Sequence, residues 1–152
     1  WCPAPSAHQG GVAVLARKAL VSTGTMKLGA PRAEPGGRLV SIPVEWAGHE
    51  FTLTCVYLPA GDPTGQRAFI QQQIAGIMQQ PGHHVLAGDY NYVPDPAVDS
   101  TAGPGGRQPD KLTHAVWVEC CPDLVDCFRA RHPARRQYTY VGTTGGSRID
   151  RV

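Results

Sequence analysis

"GDPTGQRAFIQQQIAGIMQQPGHHVLAGDYN", residues 61–91, holds the reading that decides the fold. Asp62 or Thr64 can accept from the free N–H groups of a helix start, and Pro81-Gly82 stops the helix. Phe69, Ile70, Ile74, Ile77 and Met78 share one helical face, with the glutamines mostly on the other. Val85-Leu86-Ala87 then reads as a short buried strand that runs into Gly88-Asp89-Tyr90-Asn91. Upstream, "EFTLTCVYL" (50–58) alternates, with Phe51, Leu53, Cys55 and Tyr57 together. Strand, helix and strand of these lengths make a crossover unit on a sheet.

"LVSIPVEW" (39–46) alternates too, and "AGHE" turns it back onto residues 50–58 as an antiparallel hairpin. Pro43 cannot donate to a ladder, which predicts an edge strand or a bulge there. "GVAVLAR" (11–17) reads as a buried strand, and 21–37 as a loop or weak strand. Residues 102–110 read as a Gly/Pro loop and 111–121 as a helix, with a shorter helix in "PDLVDCF". "RQYTYVG" and "SRIDRV" read as strands around the turn "TTGG". The chain is therefore expected to be α/β or α+β, in layers.

Its 152 residues suit one domain, and 18 Gly with 14 Pro argue against a helical bundle. The 14 Lys+Arg against 12 Asp+Glu give only +2. From Phe128 onward, however, Arg129, Arg131, Arg135, Arg136, Arg148 and Arg151 face the single acid Asp150. Such a cluster suits a phosphate-bearing partner, or simply a solvated surface. Five cysteines, with no C-x-x-C pair, point to reduced thiols rather than a disulfide framework or zinc, and so to an intracellular setting, cytoplasmic or nuclear. No apolar run is long enough to span a bilayer.

Asp89 and Asn91 stand two apart past a strand, hence on one side of an extended chain. A carboxylate there can hold a hard cation or take a proton from water, and a carboxamide can orient that water or a phosphate oxygen. The same residues also suit a plain turn. Tyr57 can offer its hydroxyl to a phosphate or pack as a half-buried aromatic. Arg148 and Asp150 can pair at the surface, or Asp150 can orient a histidine. His8, His83 and His84 lack ligand spacing and read as loop residues.

The order "VYLP" (56–59), "LAGDYN" (86–91), "LVDCFRARHP" (124–133), "YTY" (138–140) and "SRIDRV" (147–152) resembles the endonuclease/exonuclease/phosphatase family. It is most similar to the endonuclease domain of LINE-type (non-LTR) retrotransposons, often associated with a reverse transcriptase, and to apurinic-endonuclease relatives. The resemblance implies a two-layer β-sandwich flanked by helices, a DNase I-like fold, present here incompletely over residues 1–152. It implies that Asp89 activates or orients the attacking water and ligates the metal. Asn91 would hold the water or the scissile phosphate, Asp150 would orient a catalytic histidine, and Tyr57, Arg148 and Thr139 would lie along the substrate. Asp99 matches a further acid of the family. The cofactor implied is Mg2+ or Mn2+, and the partner is DNA.

Family members place an asparagine and a metal-binding glutamate on strands that should precede Trp1, and a Ser-Asp-His block that should follow Val152. Tyr90 stands for the usual Phe, and Ala60 where Asn often follows Tyr-x-Pro. The expectation is thus a fragment of a Mg2+-dependent, DNA-nicking phosphodiesterase, inactive alone and binding metal weakly. Its exposed sheet edges would invite aggregation or a covering protein partner. The alternatives are a non-catalytic nucleic-acid-binding or assembly module in a larger complex, and a phosphoesterase acting on inositol phosphates or phospholipids.

Overall fold

A computed structural model describes residues 2–3, 11–103, 108–143 and 145–152. The chain mixes α and β and divides into two compact units, one of residues 1–57 with 81–88 and one of 58–80 with 89–152.

In the first unit, α1 (Lys18–Ser22) precedes β1 (Met26–Leu28), β2 (Arg32–Ala33), β3 (Leu39–Trp46), β4 (His49–Tyr57) and β5 (His84–Asp89), whose last residue belongs to the second unit. The strands lie in the order β1-β3-β4-β5, with β2 also on β3. The β3–β4 hairpin forms as its alternation predicts, with Leu39 opposite Val56 and Trp46 opposite His49. Its turn residues Ala47 and Gly48 both have positive φ (52° and 80°), the primed geometry that matches strand twist. Between β4 and β5, Thr52 N–H donates to the His83 carbonyl and Leu58 N–H to the Asp89 carbonyl. Both partners advance together, so these strands are parallel, as a helical crossover requires.

Pro43 does not mark an edge. Strand β3 has neighbours on both sides, and Pro43 keeps regular register with Thr52. Its carbonyl accepts from Gly29 N–H, in the break between β1 and β2, and its missing donor falls on that interrupted side. Both faces of the hairpin are covered. Val40, Ile42 and Val44 are buried, and so are Ser41, Thr54 and Val56 between them in register. Ser41 and Thr54 satisfy each other there at 2.9 Å. The expected strand over 11–17 is reduced to a bridge between Val12 and Cys2, and Leu15 is exposed.

The second unit opens with the predicted helix. It runs as α2 (Pro63–Phe69), a widened π turn (Ile70–Ile74) and α3 (Ala75–Met78). The Asp62 carboxylate caps it by accepting from Gly65 N–H at 2.9 Å. Ile70, Ile74 and Ile77 are buried as their spacing requires. Then come α4 (Pro96–Asp99), α5 (Gln108–Cys120) and α6 (Cys127–Arg131), followed by the hairpin β6 (Tyr140–Gly142) and β7 (Gly145–Ser147) and by β8 (Asp150–Arg151). "RQYTYVG" is strand only from Tyr140, and "SRIDRV" divides between β7 and β8. On α5, Asp110, Thr113 and Trp117 are buried at helical spacing.

All five cysteines are free. Burial, and then the neighbouring Cys120, push the Cys121 thiol up to about 12, so it stays protonated and inert at neutral pH. No helix among the described residues is long and apolar enough to cross a membrane.

Candidate functional site: a cleft at two strand ends

The site lies in the second unit and is built on the turn Asp89-Tyr90-Asn91. Tyr90 N–H donates to the Ile149 carbonyl, so the end of β5 runs beside the start of β8. Asn91 adopts φ +50°, a left-handed conformation that asparagine tolerates better than most residues. Its backbone N–H donates to the Asp89 carboxylate at 2.8 Å, and its side-chain amide to the Leu58 carbonyl at 2.8 Å. These bonds fix the direction of the Asp89 carboxylate. Under the turn, Tyr90 and Tyr92 are buried, and the Arg151 guanidinium lies over both rings at 4.0 and 4.2 Å.

A cleft of about 840 Å³ opens at this turn. Asp89, Asn91, Tyr92, Ser147 and Ile149 line it, with Thr101 and Tyr140 farther along. Asp89 is half-buried, and that burial pushes its pKa up, against the Asn91 N–H. The negative charge of Asp150 raises it further, while Arg151 opposes the rise. The two carboxylates therefore feel each other across adjacent strand ends, although 61 positions separate them in the chain. Repulsion between carboxylates is relieved by a cation. On the cleft wall, Asp89 and the Asn91 carboxamide carry hard oxygen atoms of the kind that Mg2+ takes. No set of three or more His, Cys, Asp or Glu side chains converges among the described residues.

The remaining candidates sit as follows. Thr139 is exposed, and its hydroxyl accepts from the backbone N–H groups of Ile149 and Asp150, both at 3.1 Å, which holds the approach to Asp150. Arg148 is 3% exposed and points inward. It donates to Asp99 at 2.6 Å and to Asp126 at 2.7 Å, so it makes no surface pair with Asp150. Asp99 is fully buried and also takes Arg129. Burial alone would raise the Asp99 pKa, but the hydrogen bonds from Arg148 and Arg129 outweigh it and hold the carboxyl below its usual value. Tyr57 belongs to the first unit. There it packs against Cys2, Val12 and Val40, under the Arg38 guanidinium at 5.2 Å. His83 is exposed and His84 half-buried, while His8 lies outside the described residues.

The arginine cluster of the sequence is thus divided. Arg129 and Arg148 are bound to acids and Arg151 is packed on tyrosines, whereas Arg131, Arg135 and Arg136 are exposed. One residue of the site went unread in the sequence. Gln66 is 2% exposed, and its amide nitrogen donates to the carbonyls of Pro59 (2.9 Å) and Asn91 (3.0 Å). The signal was its register: four and eight residues before Ile70 and Ile74, Gln66 stands on the apolar stripe.

The family model for the endonuclease/exonuclease/phosphatase family matches residues 1–152. The chain belongs to this family. Among solved structures, it is similar to an AP endonuclease from Leishmania major, with 17% identity and a TM-score of 0.58, over 78% of this chain and 46% of that one. It is also similar to TDP2 from D. rerio, a structure solved with a single-strand DNA product, with 14% identity and a TM-score of 0.57, over 85% of this chain and 53% of that one. The chain spans about half the length of these structures. At such identities the likeness establishes the fold, the DNase I-like one. No curated protein matches in sequence. Within the endonuclease/exonuclease/phosphatase family, the mixed α/β architecture expected from the crossover is what the chain adopts.

Proposed function

We propose that the cleft at Asp89 and Asn91, with Asp150 beside it, is part of a Mg2+-dependent phosphodiesterase site that nicks DNA inside the cell, of the retrotransposon-endonuclease kind. The observation that carries this reading is the half-buried Asp89 carboxylate on the cleft wall, within reach of the Asp150 charge and beside a carboxamide held in a left-handed turn. Family membership and two neighbours whose names concern DNA support it.

A bound Mg2+ or Mn2+ would neutralise charge developing on the phosphate. The chain's own groups do the rest. Asp89, raised in pKa by burial, is suited to accept the proton of an attacking water or to orient it. Asn91 presents its carboxamide along the same wall. Asp150, held by the bonds from its own and the preceding N–H to Thr139, would orient a histidine or a metal-bound water. Arg148 acts from within, tying the segment before Asp150 to Asp99 and Asp126. Two carboxylates leave most of a Mg2+ shell to water and phosphate, so binding by this chain should be weak and nicking slow, a residual activity in place of the inactivity that the motifs alone led one to expect.

Conversion of supercoiled plasmid to nicked circles in Mg2+ tests the proposal. Slow nicking lost on chelation and in Asp89→Ala is expected. Nicking that survives Asp89→Ala, or DNA binding indifferent to Mg2+ and to both carboxylates, refutes it; the second result would identify a nucleic-acid-binding module.

A further inference from the structure

We infer that Gln66 is the positioning residue of this cleft, the group that locks the Asp89–Asn91 turn in the form a cation and a phosphate require. The inference rests on the proposed site. Two strand ends converge there and need a fixed relation. Leu58 N–H reaches the Asp89 carbonyl at 2.9 Å, and the Asn91 side chain reaches the Leu58 carbonyl. Both contacts are made at residue 58, and neither restrains the backbone just beyond Leu58 and Asn91. Gln66 closes both at once. From the buried face of α2, its two amide N–H groups are spent on the carbonyls of Pro59 and Asn91, the next residue on one side and the turn's last on the other.

The carbonyl of Asn91 matters because its residue is left-handed. Leaving that conformation would swing the peptide planes on both sides of Asn91. The Asn91 N–H would then leave the Asp89 carboxylate, and the carboxamide would leave the cleft wall. Holding the Asn91 carbonyl therefore holds Asp89, although Gln66 touches neither carboxylate nor substrate. The Gln66 acceptor is itself met by the Thr113 hydroxyl of α5 at 3.4 Å. The two shorter donor bonds orient the amide, its nitrogen toward the turn and its oxygen toward α5, so the long Thr113 contact is not what holds it. A glutamine that merely filled space would not need both N–H groups spent on backbone carbonyls of two segments.

The test compares Gln66→Met, which keeps length and loses both donors, with Thr113→Val, which disturbs the same buried junction from the α5 side. Two quantities are read on the full chain where all forms remain folded: hydrogen exchange of the Asn91 backbone amide without metal, and Mn2+ affinity by electron paramagnetic resonance. Gln66→Met should speed Asn91 exchange about tenfold and weaken Mn2+ binding by a similar factor, while Thr113→Val leaves both within about twofold. Equal effects of the two variants, or a Gln66→Met form with unchanged Asn91 exchange, would make Gln66 an ordinary core residue and overturn the inference. Wild-type chain that binds no Mn2+, or binds it equally well as Asp89→Asn, would refute the site itself. The exchange comparison separates that failure from failure of the clamp.

Discussion

Replacing Asp99 by asparagine removes the charge at the centre of the buried network and keeps its shape. Asp99 is fully buried, takes Arg148 Nε at 2.6 Å and Arg129 Nε at 3.1 Å, and bonds Arg129 again through Nη2. Arg148, 3% exposed, would keep one partner, the quarter-exposed Asp126. Stranding a buried charge costs about 3–5 kcal/mol, a large share of the roughly 5–15 kcal/mol that holds a domain together. Urea unfolding should show that loss at neutral pH as a lowered midpoint at constant slope. The pH dependence carries the sign. The Asp99 pKa is depressed in the folded chain, so its contribution is complete above the unfolded value of about 3.9 and is lost as pH falls through the folded value. Asp99→Asn should therefore flatten the acid limb below about pH 4 and leave the slope between pH 5 and 7 unchanged. The double variant Asp99→Leu with Arg148→Met should recover part of the loss, because the desolvation penalties of that pair vanish together while Arg129 alone loses its acid. A loss under about 1 kcal/mol for Asp99→Asn would show that the network is solvated and refute this account.

His114, whose pKa is lowered by burial and by Arg151, is stabilising when neutral. That stability is complete above about pH 6.5 and should fall below it, which His114→Gln should suppress in thermal melts across pH 5–7. Gly88→Ala would place a methyl carbon 1.9 Å from the Val56 carbonyl at φ +149°, and should cost about 3 kcal/mol or more by denaturant titration. Gly48→Asn meets nothing within 4 Å at a φ that asparagine accepts, and should melt close to wild type. Thr139→Val should cost about 1 kcal/mol through two lost acceptor bonds and weaken Mn2+ binding, whereas Thr139→Ser should restore both.

Local patterns were legible. The spacing of Ile70, Ile74 and Ile77 gave the helix and its buried face, and the alternation of 39–46 and 50–57 gave the hairpin. The motif order gave the family. Patterns satisfied at a distance were not. Pro43 suggested an edge because a sequence does not show that the facing strands break at Gly29. "GVAVLAR" has strand composition, but only Val12 finds a bridge partner, Cys2. The arginines after Phe128 read as one positive patch because their acids stand far off: Asp99 lies 30 and 49 positions from Arg129 and Arg148. Gln66 hid among the glutamines of its helix, since its register marks burial but not what its amide reaches. Asp89 and Asp150 were named separately by motif, and a sequence does not show that the Tyr90 N–H reaches the Ile149 carbonyl and so sets the two acids near each other.

The division of the arginines bears on any polyanion the chain meets. A guanidinium paired with a buried acid, or buried against tyrosine rings, is out of DNA's reach and displaces no sodium from it. Arg129, Arg148 and Arg151 drop out of that exchange, leaving Arg131, Arg135 and Arg136 from the segment after Phe128. On a logarithmic plot of affinity against ionic strength, this segment can then contribute a slope of about −3 at most, half of what its six arginines would suggest.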